Sequence, residues 1–106
     1  MTRICVACTL LLLLTPAWAE RCLAIDGDTL VCNRQKVRLT NVDAPELQAA
    51  GGRAAKRRLQ ALVEGREVAL KKYGLDRYGR LLAEAFVEGR RIEQQDIGPR
   101  TLRARK

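Results

Sequence analysis

Two short acidic stretches, Asp26-Gly27-Asp28 and Asp43-Ala44-Pro45-Glu46, and two arginines, Arg38 and Arg80, are the residues of this sequence best suited to chemistry. The chain contains no histidine, which removes a histidine general base and any imidazole-based metal site. Catalysis would have to run on carboxylates and cations, with any metal bound through oxygen. Oxygen donors alone point to calcium or magnesium rather than zinc. An EF-hand does not explain the first stretch: a loop opened at Asp26 puts Leu30 where an oxygen ligand is needed and Val31 where glycine belongs. Arg38 and Arg80 are the natural counterparts, since a guanidinium holds two phosphate oxygens at once and stabilises negative charge as it builds up around phosphorus. Taken singly, each feature is also ordinary. The first stretch reads as a turn, the second as the start of a loop, and each arginine as a solvated surface cation.

To act together these residues must be carried to one place. Arg21 to Ile25 and Thr29 to Cys32 are apolar segments on either side of Asp26-Gly27-Asp28, which reads as a hairpin with glycine in its turn. A third strand is expected from Lys36 to Val42, with Val37 and Leu39 on one face and Arg38 aimed outward on the other. Pro45 lacks a ladder donor and restricts Ala44 to extended backbone, so the strand ends there. From Arg53 to Glu64 the period changes: Ala55, Leu59, Leu62 and Val63 mark one face of an amphipathic helix that Gly65 stops. Glu67 to Tyr73 alternates again with Val68 and Leu70 on one face, and Leu81 to Val87 is apolar enough for a fifth, mostly buried strand. Ile92 to Ile97 could begin a helix, which Gly98-Pro99 would stop, and residues 93–106 read as a short basic tail. Three strands, a helix and two more strands give a mainly β chain with α, and allow a five-stranded oligonucleotide-binding barrel with one well-supported helix.

Residues 1–19 read as a secretory signal peptide: Arg3, an apolar run through Leu10 to Leu14, then Ala17-Trp18-Ala19 as a cleavage site. The run is shorter than the roughly 20 residues that span a bilayer, so no stable membrane insertion is expected after cleavage. Cys5 and Cys8 fall inside this leader. Cys22 and Cys32 are symmetric about Gly27, so a hairpin centred there sets them opposite each other, and a cross-strand disulfide is expected in an oxidising compartment, periplasmic or extracellular. The chain carries a net charge of +8, nearly all of it outside the leader, and such a surface attracts polyanions. A basic surface kept for solubility would look the same.

The blocks Ala24-Ile25-Asp26-Gly27-Asp28-Thr29, Val37-Arg38-Leu39, Val42-Asp43-Ala44-Pro45-Glu46 and Asp76-Arg77-Tyr78-Gly79-Arg80 resemble, in this order, the successive signatures of thermonuclease (staphylococcal-nuclease-like) domains. The resemblance covers roughly residues 22 to 92, and a domain over residues 20–92 with the oligonucleotide-binding barrel is what it implies. It further implies that Asp28 and Asp43 bind Ca²⁺ through their carboxylates and Ala44 through its carbonyl, that Glu46 orients or deprotonates the attacking water, and that Arg38 and Arg80 grip the scissile phosphate. Arg77 and Tyr78 would touch a neighbouring phosphate, and Asp26 would be a turn residue or act through its neighbours. The implied activity is a monomeric, calcium-dependent endonuclease that cuts DNA and RNA with low sequence specificity and leaves 3′-phosphate ends.

Two departures stand out. Ala44 replaces a common threonine, a mild change where the ligand atom belongs to the backbone. More seriously, family domains usually continue after Val87-Glu88-Gly89 with a helix, an aromatic-containing segment and a packing helix, whereas this sequence has Glu93-Gln94-Gln95-Asp96-Ile97-Gly98-Pro99 and no aromatic after Phe86, and Asp96 falls where an apolar core residue is expected. Lost packing there could cost several kcal/mol, comparable with the stability of so small a domain. Two further readings therefore stand beside the nuclease: a barrel that binds single-stranded nucleic acid without cutting it, and a truncated relic that does not fold alone.

Overall fold

Strand β1 (Ala19–Asp26) turns back at Gly27-Asp28 into β2 (Thr29–Cys32), and a second tight turn leads to β3 (Gln35–Leu39). The computed structural model describes residues 19–100; the signal-peptide reading, apart from its last residue, and the final part of the basic tail lie outside the described residues. Asn33 and Arg34, the two residues of the second turn, both have left-handed backbone (φ 52° and 68°), the conformation whose twist suits a two-residue hairpin. After helix α1 (Gly52–Val63) come β4 (Glu67–Leu75) and β5 (Leu81–Val87), a two-residue strand β6 (Arg90–Arg91) and a single helical turn, α2 (Gln94–Ile97). β4 pairs antiparallel with both β1 and β5, while β3 runs parallel to β5 through Val37–Leu81 and Leu39–Ala83. Each of β1 to β5 thus has at least two neighbours, which closes a five-stranded mixed barrel and removes its sheet edges. This is the oligonucleotide-binding architecture that the sequence implied.

The β1–β2 hairpin repays a closer reading. Cys22 pairs with Cys32 and Ala24 with Leu30, but Asp26 pairs with Thr29, so one extra residue is inserted at Ile25. The bulge is what centres the body of the hairpin on Gly27 although its turn is Gly27-Asp28. Cys22 and Cys32 are joined by a disulfide, with their Cα atoms 4.3 Å apart. That short separation marks a pair that does not exchange backbone hydrogen bonds, and Ala24, two residues on, shares its orientation. The N–H of Ala24 therefore points away from β2, and Gln60 on α1 accepts it at 2.9 Å.

The barrel interior is filled by Leu30, Val37, Leu39 and Val68, with Ala83 and Ala85 from β5, and α1 closes one end with Ala55, Leu59 and Val63. β5 is less buried than expected, because only its two alanines point fully inward. β3 ends at Leu39, short of Val42. Arg38 donates to the carbonyls of Leu39 and Val42, drawing the chain out of the ladder into the loop that carries Asp43 to Glu46. The packed unit also runs past residue 92: Ile92 and Ile97 are buried, and Arg58 of α1 donates to the Ile97 carbonyl at 3.3 Å. Asp96, where the sequence suggested a lost core contact, instead accepts the Glu93 N–H at 2.8 Å in a reciprocal cap at the start of α2.

Candidate active site

At one side of the barrel the β1–β2 turn, β3 and the two long loops enclose an open cleft of about 410 Å³, lined by Asp26, Asp28, Arg38, Asp43, Ala44, Glu46 and Arg80. A somewhat larger cleft of about 470 Å³ lies between the β1–β2 hairpin and the end of α1, around Leu23, Val31 and Val63. Its lining holds a single carboxylate, Glu64, against the four of the smaller cleft, so the smaller cleft is the candidate site.

Asp28 is fixed from several directions. Thr29, itself buried, donates its hydroxyl to Oδ1 at 3.0 Å, and the N–H of Ala44 donates to Oδ2 at 3.1 Å. This second bond ties the β1–β2 turn to the loop after β3. The close approach depends on Gly27, where a Cβ would lie 2.6 Å from the Ala44 Cβ and 2.5 Å from the Ala55 Cβ. Arg38 reaches across: Nη2 is 3.6 Å from Asp28 Oδ2 and 3.7 Å from Asp43 Oδ1. Two carboxylates from separate segments thus converge on one positive charge. Asp43 is also 3.8 Å from Arg100.

The backbone of Asp43 is held by Gln94, which accepts its N–H at 2.8 Å and donates to its carbonyl at 2.9 Å while also donating to Gly98 at 2.8 Å. Gln94 escaped the sequence reading. It lies far along the chain in a stretch whose only visible signal was a possible helix start. Glu46 is exposed at the rim of the cleft. The loop beyond it folds back tightly, with the Ala49 N–H on the Glu46 carbonyl at 2.8 Å and Gly52 so close that a Cβ would fall 2.0 Å from that same oxygen.

Arg80 enters from the β4–β5 loop, which is organised around Asp76. The Asp76 carboxylate accepts the N–H groups of Tyr78 and Arg80, each at 2.9 Å, and the Arg80 Nε at 2.8 Å. Desolvation would raise the Asp76 pKa, but the Arg80 N–H and guanidinium and the Tyr78 N–H together hold it below its usual value of 3.8. Tyr78 is exposed, with the guanidinium groups of both Arg77 and Arg80 about 5.6 Å from its ring centre. Arg77 and Tyr78 do not line the cleft itself; they stand beside it.

Asp26 shares the cleft, and its carboxyl is pushed above 3.8 by burial first and then by the nearby charges of Asp28 and Glu46, with Lys56 opposing. Among the described residues, no three carboxylates, histidines or cysteines form a ready-made metal cage. What converges is the pair Asp28 and Asp43, hard oxygen donors beside a backbone loop. That set fits a hard divalent cation whose remaining positions are filled by carbonyl, water or phosphate oxygen.

Residues 36–100 match the family described as Staphylococcal nuclease homologue. Among curated proteins the chain is 38% identical over 95 residues to Protein ParB of Escherichia coli, covering 82% of this chain and 54% of that protein. It is 40% identical over 88 residues to a micrococcal nuclease of Shigella flexneri, covering 76% and 51%, and 43% identical over 77 residues to an uncharacterized endonuclease of Haemophilus influenzae, covering 68% and 43%. The chain thus spans about half the length of these relatives. With the closed barrel, the cleft and a match over more than half of its residues, this chain belongs to the staphylococcal nuclease homologue family.

Proposed function

We propose that the protein is an exported, calcium-dependent endonuclease that hydrolyses DNA and RNA with low sequence specificity and leaves 3′-phosphate ends. The observation that carries this reading is the convergence of Asp28, Asp43, Glu46, Arg38 and Arg80 on one cleft. Asp28, Asp43 and the Ala44 carbonyl would hold Ca²⁺, which when bound supplies a hard positive charge beside the scissile phosphate. Arg38 and Arg80 bind phosphate oxygens and stabilise the charge that grows on them. Glu46, exposed at the rim, orients a water and takes its proton as the water oxygen bonds to phosphorus, while the bond to the 5′-oxygen breaks and that oxygen takes up a proton. Arg77 and Tyr78 meet the next phosphate along the strand. The Cys22–Cys32 bridge and the leader-like residues 1–19 support work in an oxidising compartment, periplasmic or extracellular, and a monomer is sufficient for this site.

Glu46→Gln tests the assignment. Because the side chain is exposed, the variant should melt and bind single-stranded DNA like the wild type, while its turnover falls on the order of a hundredfold or more. An unchanged rate would remove Glu46 from the reaction.

A further inference from the structure

Outside the lining of the proposed cleft, the end of β4 and the loop after it carry two exposed aromatic side chains. Among the described residues, apart from Leu23, the large apolar side chains open to solvent are Tyr73, Leu75 and Tyr78, at 52%, 65% and 73% exposure. They occupy the end of β4 and the loop that follows it. Tyr73 and Tyr78 are the two tyrosines of the chain, and each ring carries a cation. Lys71 Nζ sits 5.7 Å from the centre of the Tyr73 ring, as Arg77 and Arg80 sit about 5.6 Å from that of Tyr78. Among the described residues Lys71 forms no ion pair. Its cross-strand neighbour Glu84 is already held by Arg91 at 3.0 Å. Tyr78 links this stretch to the cleft, because its ring lies within cation–π distance of Arg80 and Arg80 lines the cleft.

We infer that Tyr73 and Lys71 form an outer stacking platform that holds the single-stranded nucleic acid beyond the cleft. This rests on the nuclease reading for its substrate. The chemistry selects the occupant: a flat ring open to solvent reads the π-face of any base, and the ammonium beside it reads phosphate, so binding is sequence-tolerant. An acidic peptide would satisfy the cations but leave the ring faces unused. Each residue of an extended strand advances about 3.3 Å, so Tyr73 lies a short step along β4 from the loop that positions Arg80. A substrate must extend past the cleft to reach it.

The test compares full-chain wild type, Tyr73→Leu and Tyr73→Phe by fluorescence anisotropy with calcium present, using a dye-labelled, cleavage-resistant phosphorothioate dodecamer of thymidylate. Tyr73→Leu should bind roughly tenfold more weakly, and Tyr73→Phe, which keeps the ring, should match the wild type. Cutting of a thymidine dinucleotide, too short to reach the platform, should be the same in all three proteins, and melting curves should coincide. Equal affinities for wild type and Tyr73→Leu, equal weakness of Tyr73→Leu and Tyr73→Phe, or no binding by the wild type would each overturn the platform. A wild type that binds in a Tyr73-dependent way yet cuts nothing would refute the nuclease reading and leave the platform standing. One that cuts while Tyr73→Leu binds normally would do the reverse.

Discussion

Arg38 and Arg80 face the same cleft from two regions that hold a cation in different ways. Arg38 rises from β3, a strand of the closed barrel, and is woven into its surroundings through the carbonyls of Leu39 and Val42 and the carboxylates of Asp28 and Asp43. Arg80 belongs to a loop that organises itself: Asp76 supplies its partner, its backbone contact and the turn that presents it. In the barrel region, position and stability are one property. In the loop region they separate, and a residue can be changed for function with little cost to the fold.

The largest expected effects break that comparison directly. Arg38→Leu should lower both activity and stability, the latter by about 2–4 kcal/mol, because it leaves two carbonyls and a largely buried carboxylate short of a partner. Arg80→Leu should lower activity by a comparable factor, on the order of a hundredfold, but stability by less than about 1 kcal/mol, as expected of a partly exposed ion pair. Urea melts and kcat measured side by side check both. Equal stability losses would erase the distinction.

Gln94→Leu gives a smaller effect. It strips the amide from the Asp43 backbone and should cost roughly 1–3 kcal/mol, with a loss of activity that higher calcium partly restores if Asp43 is merely misplaced. Activity that stays at the wild-type level would mean the loop holds Asp43 without its clamp.

The smallest effect is a pH dependence. The Asp76 carboxyl is held below its usual 3.8 in the folded chain, so its ionised form stabilises the loop. That contribution is fully present above pH 3.8 and is lost as the pH falls through the folded value. Wild type should therefore be more stable than Asp76→Asn at pH 7, and the difference should shrink toward zero as melts are taken below pH 3.8. A difference independent of pH would mean the charge is not what matters.

Much of the barrel was legible in the sequence because it obeys short-range rules. Val37 and Leu39 alternate with Arg38, Ala55, Leu59 and Val63 recur at helical spacing, and the symmetry of Cys22 and Cys32 about Gly27 anticipated the register of the first hairpin. The bulge at Ile25 was not legible, although that symmetry depends on it. The end of β3 was misplaced because Arg38, which looked simply outward-facing, captures the carbonyls of its own loop. The C-terminal stretch was the least legible. Ile92 and Ile97 complete the core, Asp96 caps a turn and Gln94 grips Asp43, all through contacts with residues distant in sequence or within one isolated turn. Of the site, residue types and order were visible, whereas the shared engagement of Asp28 and Asp43 with one guanidinium required the fold.

The most direct test of the central claim is digestion of single-stranded DNA, duplex DNA and RNA by the purified protein, with calcium and then with excess chelator, followed by analysis of the product ends. The account predicts cutting of all three that calcium supports and chelator abolishes, with 3′-phosphates and 5′-hydroxyls on the fragments. A folded protein that binds these nucleic acids in a salt-sensitive way but leaves them uncut in calcium would contradict it, and would make the barrel a binding module instead.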